Sequence, residues 1–298
     1  MYFHDRIFVS EEEKFDFVKE CDRRFFENIE RTADDIADDK NIRFILLSGP
    51  TCSGKTSATS VLIDTLEKDG KNVMSVSVDD FFKDSHEQKG KDGKTDFESI
   101  NAIDYELFCK CTESLKRGDK TEIPIFDFVS GRRNGKREID PDDNTIIIFE
   151  GIQAVYPEIT GLFHEECKKI FICVDTDMNA YGNVFTKREL RFGRRLVRDF
   201  LFRGASPDLT FKLWEGVVEN EDKNIIPYSD KSDIRINSFV PYEVNVLAPL
   251  IKELLESVDG ESRYKAEAER IMKKYENIPE ISREYVPKDS FFREFIGN

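Results

Sequence analysis

The sequence predicts an α/β protein of three layers, helix on sheet on helix, around a mostly parallel sheet. Three observations carry that prediction. From Arg43 onward short apolar runs alternate with stretches of helical periodicity; the glycine-rich segment GPTCSGKTS (residues 49–57) sits where the first run gives way to a helix; and acidic residues stand at the ends of later runs. Parallel neighbours need a crossover between them, so strand–helix alternation of this kind argues for a sheet covered on both faces. With 298 residues and 39% hydrophobic side chains, the chain can fill the core of one main domain with extensions.

The elements follow in order. Ser10 begins SEEE, a capping-box pattern, and Phe15, Val18, Phe25, Ile29, Ala33 and Ile36 recur at roughly helical spacing. This predicts an amphipathic N-terminal helix ending near Asp38-Asp39-Lys40, within an extension over residues 1–41. The main domain, residues 42–258, is expected to draw its strands from RFILLS, VMSVSV, EIPIFDF, TIIIF, KIFICV and DIRIN. After Lys55, Ala58, Val61, Leu62 and Leu66 make one helical face, which Gly70 ends; Asp104 to Lys116 repeats the pattern with Gly118. In SGRRNGKRE the Asn134-Gly135 pair suits a type I′ turn, predicting a short β-hairpin that projects beyond the sheet. Residues 259–298 read as a further helix carrying Tyr264, Ala268, Ile271 and Tyr275, then an extended tail. The phenylalanine-rich first helix packs on its own core or on a second subunit, so a homo-oligomer is kept among the expected partners.

Charge narrows the function. Sixty acidic against 45 basic side chains give a net charge of −15, which opposes broad contact with nucleic acid or anionic lipid. No run of about 18 apolar residues occurs, and the start MYFHDRIFVSEEEK has neither the basic nor the apolar region of a secretory signal; no membrane association and a cytoplasmic location are expected. Cys21, Cys52, Cys109, Cys111, Cys167 and Cys173 form no CxxC, and His4, His86 and His164 are scattered, so reduced thiols and no zinc site are expected.

GPTCSGKT fits G-x-x-x-x-G-K-[ST]. A strand before it and a helix after it are the arrangement in which backbone N–H groups and a helix N-terminus surround a phosphate. Gly49, Pro50, Thr51, Cys52, Ser53, Gly54, Lys55, Thr56 and Ser57 are therefore the nucleotide-binding candidates: Gly49 and Gly54 for the tight path, Lys55 for the β- and γ-phosphates, and the Thr56 hydroxyl for Mg²⁺. SVDDFF places Asp79 and Asp80 at the end of the second strand, where a parallel sheet meets its ligand crevice. Asp79 is the candidate to accept a proton from an attacking hydroxyl and to stand near the metal. TIIIFEG brings Glu150 to the same edge as a Mg²⁺-associated carboxylate. No NKxD segment is present to favour guanine; ATP is the expected donor, with GTP left open.

Taken in order, GPTCSGKTS, SVDDFF, DFESINAIDYELF, EIPIFDFVSGRR, IIIFEGI, RRLVRDFLFRG and DSFFREFIG resemble the uridine kinase branch of the phosphoribulokinase/uridine kinase family, over about residues 43–249 for the kinase core. The resemblance implies a P-loop kinase fold, Mg-ATP, Asp79 as general base, Glu150 beside the metal, and Arg195, Arg198 and Arg203 as lid arginines near the phosphates and the substrate. Independently, six arginines fall between Arg188 and Arg203, and Arg191, Arg194, Arg195 and Arg198 share one helical side, which reads as an anion-binding lid.

The sequence departs from the family at the acceptor. Where pyrimidine nucleoside kinases show Y-D-F-x-x-H, this chain has Phe126 and Gly131 in place of the tyrosine and histidine; where N-F-D-H-P supplies a ribose-binding aspartate, DFESI supplies Glu98, with Asp96 two residues earlier. Arg133 in the hairpin is a further base-reading candidate. The expected activity is Mg-assisted phosphoryl transfer from ATP to a small-molecule hydroxyl, the 5′-hydroxyl of a uridine- or cytidine-like ribonucleoside foremost. Beside it stand a non-pyrimidine or polyol acceptor, and a nucleotide-dependent regulatory module of little turnover.

Overall fold

The structure, a computed structural model, describes residues 1–85, 97 and 99–297. The first half of the chain runs through β1 (Tyr2–His4), α1 (Glu11–Asp38), β2 (Phe44–Ser48), α2 (Lys55–Lys68), β3 (Asn72–Ser77), α3 (Tyr105–Lys116), β4 (Thr121–Asp127), β5 (Arg132–Ile139) and β6 (Thr145–Glu150). There follow α4 (Pro157–Thr160), β7 (Cys167–Cys173), β8 (Met178–Ala180), β9 (Asn183–Phe185), α5 (Lys187–Arg203), α6 (Pro207–Asn220), α7 (Ile226–Ser229), β10 (Ile234–Asn237), α8 (Glu243–Glu256), α9 (Lys265–Tyr275) and α10 (Arg293–Ile296).

Five strands form the central sheet in the order β10-β7-β2-β6-β3, each neighbouring pair parallel. Side chains alternate across it, as the two-residue period of a strand demands. Ile45, Leu47, Ile148 and Ile172 join α1, α2, α5 and α8 in one core; Phe44, Leu46, Ile147 and Phe149 join α3 through Phe108 and Leu115 in another. Both faces are covered, which gives the α/β/α layering that the strand–helix alternation predicts. Among the described residues no helix is long and apolar enough to cross a membrane.

Two expectations are corrected. EIPIFDF is not a strand of the parallel sheet: as β4 it pairs antiparallel with β5 in a separate two-stranded sheet. The reason is that Ile123, Phe126 and Ile139 bury one face of this hairpin in the α3-side core, giving β4 the apolar content of a central strand. Nor is Asn134-Gly135 the hairpin turn. The reversal lies between Asp127 and Arg132, while the register shift between Pro124 and Phe126 opposes Ile125 to Asn134-Gly135 in a bulge, with Gly135 at φ +115°.

The extensions pack on the chain's own core. Ser10 caps α1 by accepting from Glu13 N at 3.2 Å; Glu13 reaches back to Val9 N rather than to Ser10. Val18, Phe25, Ile29, Ala33 and Ile36 are buried as their spacing predicts, whereas Phe15 faces outward and Phe17 inward. β1, which no periodicity signals, pairs parallel with β8. The tail is not merely extended: after a 3₁₀ turn at Arg283–Tyr285 it ends in α10, and Phe291, Phe292, Phe295 and Ile296 are each no more than 1% exposed. Each such side chain contributes about 1.5–3 kcal/mol by leaving water, so the tail is anchored. Phe291 stacks on Phe25 of α1 with ring centroids 3.9 Å apart.

Candidate active site

Residues 49–57 leave the carboxyl end of β2 and open α2, with Gly54 at φ +84° as the residue before the helix. A Cβ on Gly49 would lie 2.0 Å from Ile172 O of β7, and one on Gly54 would lie 3.1 Å from the Phe291 ring, so both glycines are required by close approach. Cys52 takes φ +57°, the left-handed turn within the loop. Gly49→Ala is expected to cost about 1–3 kcal/mol or more by overpacking against backbone that cannot retreat; an unchanged denaturation midpoint would show that the loop packs differently.

Lys55 is folded over the loop, its Nζ donating to Gly49 O at 2.8 Å and Pro50 O at 3.1 Å. Burial lowers its pKa from the ordinary lysine value, against the opposing pull of Glu150, Glu294 and Asp79. Ser53 Oγ is buried and finds no hydrogen-bond partner among the described residues. An orphaned hydroxyl beside a glycine cradle at a helix N-terminus fits a phosphate.

Register brings the carboxylates to the same edge. Glu150, the last residue of β6, pairs with Leu47 of β2 and with Ser77 of β3. Asp79 follows in the 3₁₀ turn Val78–Phe81, and a Cβ on Gly151 would lie 3.7 Å from Asp79 Oδ1. Asp80 is committed elsewhere: it accepts from Phe126 N at 3.2 Å and pairs with Arg137, fixing the hairpin to this turn. The Thr56 hydroxyl and the Glu150 carboxylate are hard oxygen donors, the type that would suit Mg²⁺. Among the described residues no group of three or more His, Cys, Asp or Glu is placed to hold a metal alone.

The lid reading of the arginine stripe is corrected for two of its members. Arg191 pairs with Glu221 through two contacts of 2.5 Å, and Arg194 with Glu243, both pairs buried. These cations are neutralised, and they support the loop from behind: Arg191 donates to Thr51 O at 3.2 Å and Arg194 to Cys52 O at 3.4 Å. Of the remaining four, Arg188 pairs with Asp222, and Arg195, Arg198 and Arg203 converge on Asp199 at 3.1, 2.7 and 3.3 Å. Sequence reasoning missed Asp199 as their organiser, although its place four residues after Arg195 and four before Arg203 is a legible signal.

Phe82, at the end of the turn that carries Asp79, belongs to a cluster of four rings. Phe82, Phe97, Phe126 and Phe128 touch in every pairing, with centroids 5.1–6.1 Å apart. Phe82 and Phe126 are buried; Phe128 is 61% exposed at the rim. Gly131 has φ +66°, a conformation that strains a side chain, and a Cβ there would lie 2.4 Å from Ser85 Oγ, which would have to turn aside. Arg133 is engaged by Asp104 at 3.0 Å. Asp96 and Glu98 lie outside the described residues.

A parallel sheet with a glycine-rich loop leading from its central strand into a helix is the arrangement of P-loop nucleotide-binding proteins. Residues 44–244 match the model of the Phosphoribulokinase / Uridine kinase family, and the chain belongs to that family. It is 33% identical over 198 residues to a uridine kinase of Schizosaccharomyces pombe, covering 63% of this chain and 37% of the relative. It is 30% identical over 199 residues to a uridine kinase of Staphylococcus aureus strain JH9, covering 66% and 88%. The chain thus spans about two fifths of the length of its yeast relatives. Among solved structures, phosphoribulokinase from Rhodobacter spheroides aligns at TM-score 0.47 and 15% identity, over 68% of this chain and 75% of that one.

Proposed function

We propose that the protein transfers the γ-phosphoryl group of Mg-ATP to a hydroxyl of a small molecule, foremost the 5′-hydroxyl of a ribonucleoside. The observation that carries this reading is the convergence, at one sheet edge, of the phosphate loop, Asp79 and Glu150, with an aromatic cluster that includes Phe82 at the end of the Asp79 turn. In this reading residues 49–57 hold the phosphates, and Lys55 exchanges its loop carbonyls for phosphate oxygens. Thr56 and Glu150 would hold Mg²⁺, which supplies charge neutralisation on the transferring group. Asp79 takes the proton of the attacking hydroxyl and Lys55 faces the developing negative charge, while Arg198 and Arg203, steadied by Asp199, add positive charge on the donor side of the loop.

The phenylalanine cluster supports an acceptor with a planar ring, because stacking is worth about 1–3 kcal/mol per base and reads no particular base edge. Loss of any side chain at Gly131 supports a second reading, in which the acceptor is not a pyrimidine nucleoside. Incubation of uridine, cytidine, purine nucleosides and simple polyols with Mg-ATP, with product masses recorded, separates the two. A nucleoside acceptor predicts a monophosphate product and a KM that rises about tenfold in Phe128→Ala. Phosphorylation of a polyol alone, with KM indifferent to Phe128→Ala, would remove the nucleoside.

A further inference from the structure

We propose that the C-terminal segment, residues 287–297, is a fixed wall of the donor site and holds the nucleoside end of the nucleotide, with Glu294 accepting from its ribose hydroxyls and Phe202 facing its base. This rests on the reading that the phosphate loop binds the donor, and goes beyond it: the segment lies outside the family match, which ends at residue 244.

Three observations place the segment there. Ser57, in the first turn of α2 where free N–H groups await a phosphate, points its hydroxyl at the tail, 3.2 Å from Glu294 Oε2 and 3.4 Å from Phe291 O. Phe291 itself lies against Gly54 of the loop. Beyond Ser57, between α10 and the end of α5, opens a cavity of about 420 Å³ lined by Arg198, Phe202, Arg203, Arg293, Glu294 and Gly297. That volume suits a nucleoside. Asp79 and Glu150 mark the end of the phosphate chain at which transfer occurs, so the nucleoside leaves the loop by way of Ser57, toward this cavity.

The chemistry of the wall assigns the contacts. Arg293 is spent on main-chain oxygens, donating to Pro287 O at 3.2 Å, Gly297 O at 2.8 Å and Val286 O, which braces the tail. Arg198 and Arg203 are held by Asp199. Glu294 acts electrostatically on both Lys55 and Arg198, so its charge bears on the phosphate site. A carboxylate there repels bare polyphosphate and rewards a ligand that presents hydrogen-bond donors beyond the phosphates, as a ribose diol does. Phe202, 56% exposed, offers a ring whose edge already meets Gly297, where a Cβ would come within 3.2 Å of Cζ. Burial of Phe291, Phe292 and Phe295 keeps the segment in place, so it acts as a wall and not as a strap that nucleotide must displace.

The test is calorimetric binding of Mg-ADP, Mg-2′,3′-dideoxy-ADP and Mg-tripolyphosphate to the full chain, as wild type, Glu294→Ala and Phe202→Ala. The ratio of ADP to tripolyphosphate affinity is expected to fall about tenfold in each variant. Tripolyphosphate should bind Glu294→Ala at least as tightly as wild type, and the dideoxy analogue should show no penalty from Glu294→Ala. ADP and tripolyphosphate affinities falling together would make the tail a mere prop for the loop, and unchanged ratios would place the nucleoside elsewhere; either overturns the proposal. Failure of wild type to bind ADP as well as tripolyphosphate would sink the phosphate-loop reading and the wall with it.

Discussion

Asp79→Asn is expected to lower turnover by roughly 10²–10⁴-fold and leave nucleotide affinity nearly unchanged. The turn that carries Asp79 is fixed on both sides. Phe82 N donates to Asp79 O at 3.1 Å, and neighbouring Asp80 is tied to the hairpin through Phe126 N and Arg137. Asparagine fills the same space and keeps the turn, but it cannot take a proton, so the loss should fall on kcat and not on the binding of Mg-ADP. Steady-state kinetics with acceptor in excess, paired with ADP titration, separates the two. Full turnover in the variant would remove Asp79 from the chemistry. A parallel loss of ADP binding would assign it to the metal or the loop instead.

The largest loss of stability is expected at Arg194. Its side chain and that of Glu243 are both 0% exposed, joined by contacts of 2.7 and 3.1 Å, and Arg194 also donates to Ser238 O at 2.8 Å. Its guanidinium lies 5.8, 5.5 and 5.1 Å from the rings of Phe291, Phe292 and Phe295, so one cation ties α5, α8, the phosphate loop and the tail. Arg194→Ala leaves Glu243 buried without its partner, whose charge now counters the upward push of burial on the Glu243 pKa. The expected cost is about 3–5 kcal/mol in denaturant unfolding. Replacing both members, as in Arg194→Met with Glu243→Leu, should recover much of it, because no lone charge is then left inside. A single variant as stable as wild type would contradict the pairing.

Much of this architecture is written in local patterns. The strand FILLS, the loop GPTCSGKTS and the helical face of Ala58, Leu62 and Leu66 are adjacent in sequence, and each dictates its own backbone; hence the strand–loop–helix frame of the candidate phosphate site is legible. Asp79 and Glu150 are legible for a related reason, since the carboxyl ends of neighbouring parallel strands must meet. What stays hidden depends on pairings and partners that a local pattern does not specify. Period two makes β4 a strand but cannot say that it pairs with β5 outside the main sheet. A stripe of arginines on α5 looks the same whether it faces phosphate or is matched by Glu221 and Glu243, which lie 30 and 49 positions beyond Arg191 and Arg194. The tail reads as a loose end until Phe25, some 270 residues earlier, is seen against Phe291.

The proposed activity is tested most directly by ADP release from Mg-ATP with and without acceptor across the nucleoside and polyol panel, with Asp79→Asn alongside. The account predicts acceptor-dependent ADP release, a phosphorylated acceptor of matching mass, and near silence from the variant. Tight ATP binding with no acceptor-dependent release from any member of the panel would contradict it, and would make the protein a nucleotide-dependent regulator built on a kinase fold.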